Sequence, residues 1–408
     1  MQKTLSFREF LFILPILVII SIFSIWPILD TLKYTVFDYR LNDQQKSQMF
    51  LGDRFNTSSF NENVKYVRFY LNKDKDLVQD SAQKQEFERV IGYTQEIMAK
   101  YETQIGVIEL SSDEAKEIEE YITNIKADTV KLYEANKADN LVNGENLQMV
   151  TSELDKSFIG SNFIGAQSYV QILTDARFWI ALKNTLLFTV VSVFIEFVLG
   201  LALAMIMNKA MKGVGLVRTI SLIPWAIPTA VSALMWSYMY DGGSGIIAKL
   251  ASDIGFVQSP EHLLLTGTGA MASAIVSDVW KTTPYMALLI LGGLQTIDKG
   301  LYESSQIDGA GRIKTFTAIT LPLLKPSILV ALLFRTLDAF RVYDLIAVLT
   351  GGGPGGSTET LSIYAYKVMF GQTNFGYGAV IVLMMFFCVA AIAFLFVKVL
   401  GADIMSNK

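Results

Sequence analysis

Leu182–Met207 reads LKNTLLFTVVSVFIEFVLGLALAMIM, an apolar run interrupted by two charged residues, Lys183 and Glu196. About 20 predominantly apolar residues let a helix cross the ~30 Å hydrocarbon core of a bilayer. The stretch therefore predicts a membrane-spanning helix, and the same reading recurs on both sides of it. Phe10–Leu29, Leu216–Tyr240, Thr268–Leu294, Leu323–Leu349 and Gly376–Val399 are of the same kind. The expected fold class is an all-α integral membrane protein with six transmembrane helices. Composition agrees: of 408 residues, 52% are hydrophobic and 18% charged, against roughly 25% charged in soluble domains. Lys3 and Arg8 precede the first run as they would in a signal peptide. That run, however, exceeds an h-region of about 7–15 residues, contains Trp26-Pro27 and lacks a small-x-small cleavage site. It reads as a retained first helix.

The net charge of −4 is unevenly spread. Residues 30–160 hold 16 Lys+Arg against 24 Asp+Glu, whereas the remainder holds 18 against 14. The expected organisation is an N-terminal segment with the first helix (1–29), an acidic insert (30–175) and a five-helix core (176–408) with a loop at 295–322. Cytoplasmic loops carry an excess of Lys and Arg. With the N-terminus in the cytoplasm, Lys3, Arg8, Lys209, Lys212, Arg218, Lys299, Arg312, Lys314, Lys325, Lys398 and Lys408 fall inside. The short outer segments then carry Arg177, Lys249 and Lys367. Both termini are expected in the cytoplasm and the insert outside.

Within the insert, Phe87, Ile91, Thr94, Met98, Tyr101, Ile105 and Ile108 step by four and three, as do Ile118, Ile122, Ile125, Thr129 and Leu132. Such steps keep one stripe on one face of a packed helix. Ser111 and Glu114 form a capping box at the start of the second run. A largely helical insert with an antiparallel hairpin turning near Gly106–Ser112 follows, and Val64–Leu71 is expected as a short strand. Whether this hairpin only covers itself or docks an extracytoplasmic partner stays open.

Several chemistries lack their residues. One Cys (Cys388) and one His (His262) leave no disulfide framework or His-rich metal site. No G-x-x-x-x-G-K-[ST], G-x-S-x-G or H-E-x-x-H occurs, and Gly351–Gly356 lacks the Lys-Ser/Thr of a P-loop. No catalytic residue, metal or bound cofactor is expected, nor a nucleic-acid partner.

Glu303-Ser304-Ser305-Gln306-Ile307-Asp308-Gly309-Ala310-Gly311-Arg312 leads to Ile319-Thr320-Leu321-Pro322. Leu301–Ile307 is expected as a short helix that bends at Gly309, with a second short helix running to a Leu-Pro stop. A helical knob of this kind suits insertion into a partner's groove. Its spacing resembles the E-A-A-x3-G-x9-I-x-L-P loop of ABC importer permeases, with Ser304-Ser305 in place of Ala-Ala. Other segments resemble the carbohydrate (maltose-type) branch: Phe163-Ile164-Gly165, Arg218 with Leu222-Ile223-Pro224 and Trp236, Trp280 with Pro284-Tyr285-Met286, and Asp344 with Leu349–Pro354.

The resemblance implies one half of a pore working by alternating access in a bacterial or archaeal plasma membrane. It implies a second permease subunit, expected as a paralogue, an ABC ATPase dimer that binds the ATP and Mg, and an extracytoplasmic sugar-binding protein. Glu303, Ser304, Ser305, Asp308, Gly309, Ala310 and Arg312 would couple to the ATPase. By position, Lys281–Tyr285 and the stretch holding Arg335, Asp338 and Val342 resemble sugar-contacting segments.

The residues also speak for themselves. Ionisable groups inside a membrane face a bundle interior or cavity and are functional candidates. Arg335, Asp338, Arg341 and Asp344 recur every third residue. Steps of three drift against the 3.6-residue turn, so not all four are expected to line one cavity. An ion-pair ladder holding the fifth helix to a neighbour is the alternative. Asp278, Trp280, Lys281, Thr282 and Tyr285 offer aromatic faces and hydrogen-bonding groups to a polyhydroxy ligand. Charges replace the family's Asn and Ser here, so a charged sugar derivative is conceivable. Glu196 is a further acid without a nameable partner, and Pro224, Pro228 and Pro284 are candidate kinks. A permease for another polar solute and a membrane sensor remain the competing readings.

Overall fold

The computed structural model describes residues 7–43, 45–136, 141–209 and 213–406, and side chains between residues 11 and 399. Lys3, Lys212 and Lys408 lie outside the described residues, as does the side chain of Arg8. The chain divides into two compact units. The first runs to Gln167 and includes Thr373–Gly376; the second holds Ser168–Gln372 and continues from Tyr377.

The first unit opens with α1 (Leu11–Tyr34), an apolar helix with a π turn at Ser21–Ile25. Four further helices follow: α2 (Thr57–Lys75), α3 (Ser81–Tyr101), α4 (Ser112–Ala135) and α5 (Gly144–Leu154). Each packs on two others in a closed ring, α2 on α3 and α5, α4 on α3 and α5. Phe60, Val64, Leu71, Phe87, Ile118, Ile125 and Leu147 form their shared core. The heptad-like stripes supply α3 and α4, and the capping box forms, with the Ser111 amide donating to Glu114 at 2.9 Å.

Two local expectations are corrected. Val64–Leu71 lies inside α2, where Val64, Val67 and Leu71 are buried at helical steps of three and four. The first stripe ends at Tyr101; Ile105 is exposed and Ile108 sits in a strand. That strand, β2 (Val107–Glu109), pairs antiparallel with β1 (Arg54–Asn56), which also pairs with β3 (Phe158–Ile159). The Asn162 amide fastens the ends of this unit, accepting from the Phe50 amide at 2.8 Å and donating to the Gln48 carbonyl at 2.7 Å.

In the second unit, α6 (Ala176–Met207), α9 (Gly267–Leu294) and the helix Arg312–Phe340 pack mutually. Small residues permit this, as in membrane bundles where backbones approach closely. A Cβ on Gly200 of α6 would lie 2.8 Å from Cγ of Met286, and one on Gly293 of α9 would collide with Ser327. Between α6 and α9 the chain forms α7 (Val214–Ala226) and α8 (Thr229–Tyr240), two helices bent by 87° at Ile227-Pro228. α7 packs on α9. The expected single span over Leu216–Tyr240 is thus a broken one.

After α9 come α10 (Lys299–Ile307), capped by Asp298 on the Gly300 amide at 2.7 Å, and the turn at Gly309, with φ of +74°. Then α11 (Arg312–Phe340) begins. The expected Leu-Pro stop is not one. A π turn at Phe316–Thr320 leads directly into Leu321, and Pro322 falls in the first turn after it. The widened turn absorbs the ring, which an α-helical interior would reject. α11 ends at Phe340, so the expected span to Leu349 breaks into α11 and α12 (Asp344–Leu349), which packs on α8. The last helix among the described residues is α13 (Phe375–Ser406).

Among the described residues, α1, α6, α11 and Phe375–Val399 of α13 are long and apolar enough to cross a membrane, and α7 with α8 makes a fifth candidate if counted as one. The expected span at Thr268–Leu294 is a helix, α9, whose Ser273, Ser277, Asp278, Lys281, Thr282 and Thr283 dilute its apolar character.

Candidate functional site

A cavity of about 490 Å³ opens in the second unit where five helices meet. The α7–α8 break contributes Trp225–Thr229, α9 contributes Asp278, Lys281 and Thr282, and the end of α11 with the start of α12 contributes Arg335, Asp338, Ala339 and residues 341–345. Non-helical backbone at membrane depth is tolerated where it lines a cavity or is buried in protein, and discontinuous helices mark solute sites in other transporters.

Six of the expected solute-path residues line this cavity: Lys281, Thr282, Arg335, Asp338, Arg341 and Val342. Trp280 and Tyr285 do not. Trp280 packs edge-on against Trp236 at 5.6 Å, and Tyr285 stacks on Trp225 at 5.5 Å, so Trp225 presents the aromatic surface in their stead.

All four residues of the charged series, Asp344 included, line the same cavity, against expectation. The 3.6-residue phase does not carry through, because α11 stops at Phe340 and the chain turns at Arg341–Tyr343. The ladder shortens to one rung, Arg335 to Asp338 at 3.2 Å.

Arg335 is 1% exposed and is the hub of a buried cluster. Its Nε donates to Glu196 Oε2 at 2.5 Å and its Nη2 to Glu196 Oε1 at 2.9 Å, while Nη2 also meets Asp278. Thr282 completes the shell by donating to Glu196 at 2.8 Å. A bidentate guanidinium–carboxylate pair satisfies both partners in fixed geometry. The cluster joins α6, α9 and α11, and it uses up the cation that the sequence offers most prominently to a solute. Asp338 and Arg341 are exposed to the cavity instead. Lys281 is buried, its Nζ donating to the carbonyls of Ile227 at 2.5 Å and Trp225 at 3.2 Å.

A second polar group lies outside the spans. Asp175 caps α6 on the Arg177 amide at 2.9 Å and accepts from the hydroxyls of Tyr364 and Tyr377. Burial pushes its pKa up, but the tyrosine hydrogen bonds outweigh this and hold the carboxyl below its ordinary range. Glu359, between Arg177 at 2.8 Å and Lys367 at 2.9 Å, is held low in the same way against its burial.

On the α10 knob, Glu303, Ser304, Asp308, Gly309 and Arg312 are exposed and Ala310 is half-buried. Ser305 is buried, donating to the Tyr302 carbonyl at 2.8 Å. Ile307 and Ile313, 86% and 82% exposed, flank the Gly309 turn. Neither isoleucine is among the expected coupling residues; two exposed apolar side chains beside a polar turn add them as candidates.

Residues 196–405 match the family model described as "Binding-protein-dependent transport system inner membrane component". The chain belongs to that family. Among curated proteins, this permease is 44% identical over 246 residues to the trehalose/maltose transport system permease protein MalF of Thermococcus litoralis, covering 60% of this chain and 82% of that one. It is 45% identical over 240 residues to the trehalose transport system permease protein SugA of Mycobacterium tuberculosis, covering 59% and 76%. A solved bacterial ABC transporter involved in the import of the acidic polysaccharide alginate shares its fold, with a TM-score of 0.53 and 24% identity over 59% of this chain and 84% of that one. Cavity, buried cluster and knob all fall within the part of the permease that the family covers.

Proposed function

We propose that this permease is the membrane subunit of an ATP-driven ABC importer of sugars and forms half of its translocation pathway by alternating access. The observation that carries the reading is the cavity at the α7–α8 break, lined by polar groups and Trp225 within the family-matched region. Aromatic faces beside convergent hydrogen-bonding groups are what a polyhydroxy solute requires. Its relatives' names, trehalose/maltose and trehalose permeases, support the solute class.

In this reading the α10 knob docks on an ATPase subunit through Glu303, Ser304, Ser305, Asp308, Gly309, Ala310 and Arg312, with Ile307 and Ile313 as apolar anchors. ATP and Mg bind to that ATPase. A paralogous permease supplies the other half-pore, and a sugar-binding protein delivers solute outside. The protein sits in the plasma membrane with six spans, α9 and the joined α7–α8 included, and both termini in the cytoplasm. Asp338, Arg341, Thr282 and Val342 line the solute path.

The test is reconstitution of this chain with its co-purifying partners in liposomes, with uptake of radiolabelled trehalose and maltose driven by ATP. ATP-dependent accumulation that requires the binding protein is expected. A complex that hydrolyses ATP but accumulates neither sugar nor any other polyol offered refutes the assignment.

A further inference from the structure

We propose that Lys281 is a positioning residue: its ammonium holds open the break between α7 and α8, and so fixes the cavity wall from Trp225 to Thr229, instead of contacting solute. The last carbonyls of a helix have no partner within it. At the end of α7 the following turn starts with Pro228, which brings no amide hydrogen to satisfy them. Lys281 Nζ reaches across from α9 to the carbonyls of Trp225 and Ile227, at 3.2 and 2.5 Å. A cation is the suitable cap, since the C-terminal end of a helix carries partial negative charge. Two of its three N–H bonds are thereby committed. Trp225 is held from a second side by its stack on Tyr285, one turn further along α9. Backbone and ring on the wall are therefore both registered against one helix. The residues that lose their place when Lys281 is removed are residues that shape the cavity.

The proposal deepens the solute-path reading in its transport arm, while its labelling arm stands without that reading. In the assembled complex, with Cys388→Ser to silence the native thiol, Thr229→Cys reports the wall through its rate of reaction with a membrane-impermeant maleimide. Lys281→Met is expected to change that rate about tenfold, the scale of one or two lost hydrogen bonds to a charged group. Lys281→Arg, which still donates to both carbonyls, is expected to leave it near the parent value and to restore uptake. Should Lys281→Met fail to fold, Lys281→Gln serves: its amide falls one bond short of the carbonyls, and the same change in labelling is expected. An unchanged labelling rate in the variant that folds overturns the proposal. So does a raised half-saturation for solute with labelling unaffected and no rescue by arginine, which makes Lys281 a solute contact. Absence of uptake in the parent complex would sink the importer reading alone.

Discussion

At Gly309 the backbone adopts φ of +74°, and no atom lies within 4 Å of where a Cβ would stand. The position therefore demands glycine for its torsion, not for space, and a side chain there costs about 1–2 kcal/mol of local strain. Gly309→Leu is expected to insert and fold normally while uncoupling ATP hydrolysis from uptake, read as retained detergent-extracted complex with uptake down at least about tenfold. Asp175 makes a prediction about acid. Its folded-state pKa is lowered, so its contribution is complete above the unfolded value of about 3.9 and is lost as pH falls through the folded value. The melting temperatures of the parent and of Asp175→Asn, measured in detergent, should differ at pH 7 and converge toward pH 3. The Gly309 bend was legible because one residue type supplies such torsions cheaply. The partners of Asp175 were not, since Tyr364 and Tyr377 lie 189 and 202 positions away along the chain.

At the scale of elements, the helices that hydropathy placed are present, and what hydropathy missed are their interruptions. Leu216–Tyr240 reads as one largely apolar run with Pro228 as a candidate kink, and the structure shows a full break there, Pro228 capping a new helix at 87° to the old one. The charged series from Arg335 to Asp344 looked like a ladder because sequence displays neighbours three apart. The stronger partner of Arg335 is Glu196, 139 residues away on α6. Breaking such a buried pair by removing one member costs about 3–5 kcal/mol, whereas replacing the whole group with neutral side chains is often tolerated. Arg335→Met alone should leave two buried carboxylates without their cation and abolish a monodisperse peak in size-exclusion chromatography. Arg335→Met with Glu196→Gln and Asp278→Asn should recover it. A triple variant no better than the single one would show that the cluster is not held by its internal pairing.

At the scale of the whole chain, composition divides an acidic stretch from an apolar remainder, whereas the compact unit that holds the acidic stretch also holds the first apolar helix. The closed ring of α2 to α5 was visible only as its two stripes, because the short sheet carries no long periodic pattern and the apolar residues of Val64–Leu71, which step by three and four in α2, also suit a strand when read as a short segment. This ring has its own core and its own pin, Asn162 against Phe50. A fragment of residues 50–162 should fold alone in water, with a helical circular dichroism spectrum and one cooperative urea transition. Loss of that transition in Asn162→Ala, with the secondary structure retained, would locate the closing contact.

The unbroken run from Arg312 to Phe340 has a mechanical meaning. Its 29 residues make a rod of about 43 Å at 1.5 Å per residue, with the Gly309 turn just before one end and Arg335 near the other. A rocking of about 10° imposed at the knob would sweep the far end of a rigid rod of that length through about 7.5 Å. The π turn at Phe316–Thr320 and Pro326 are the two weak points along that lever. Their stiffness would set how much of such a stroke arrives at the cavity.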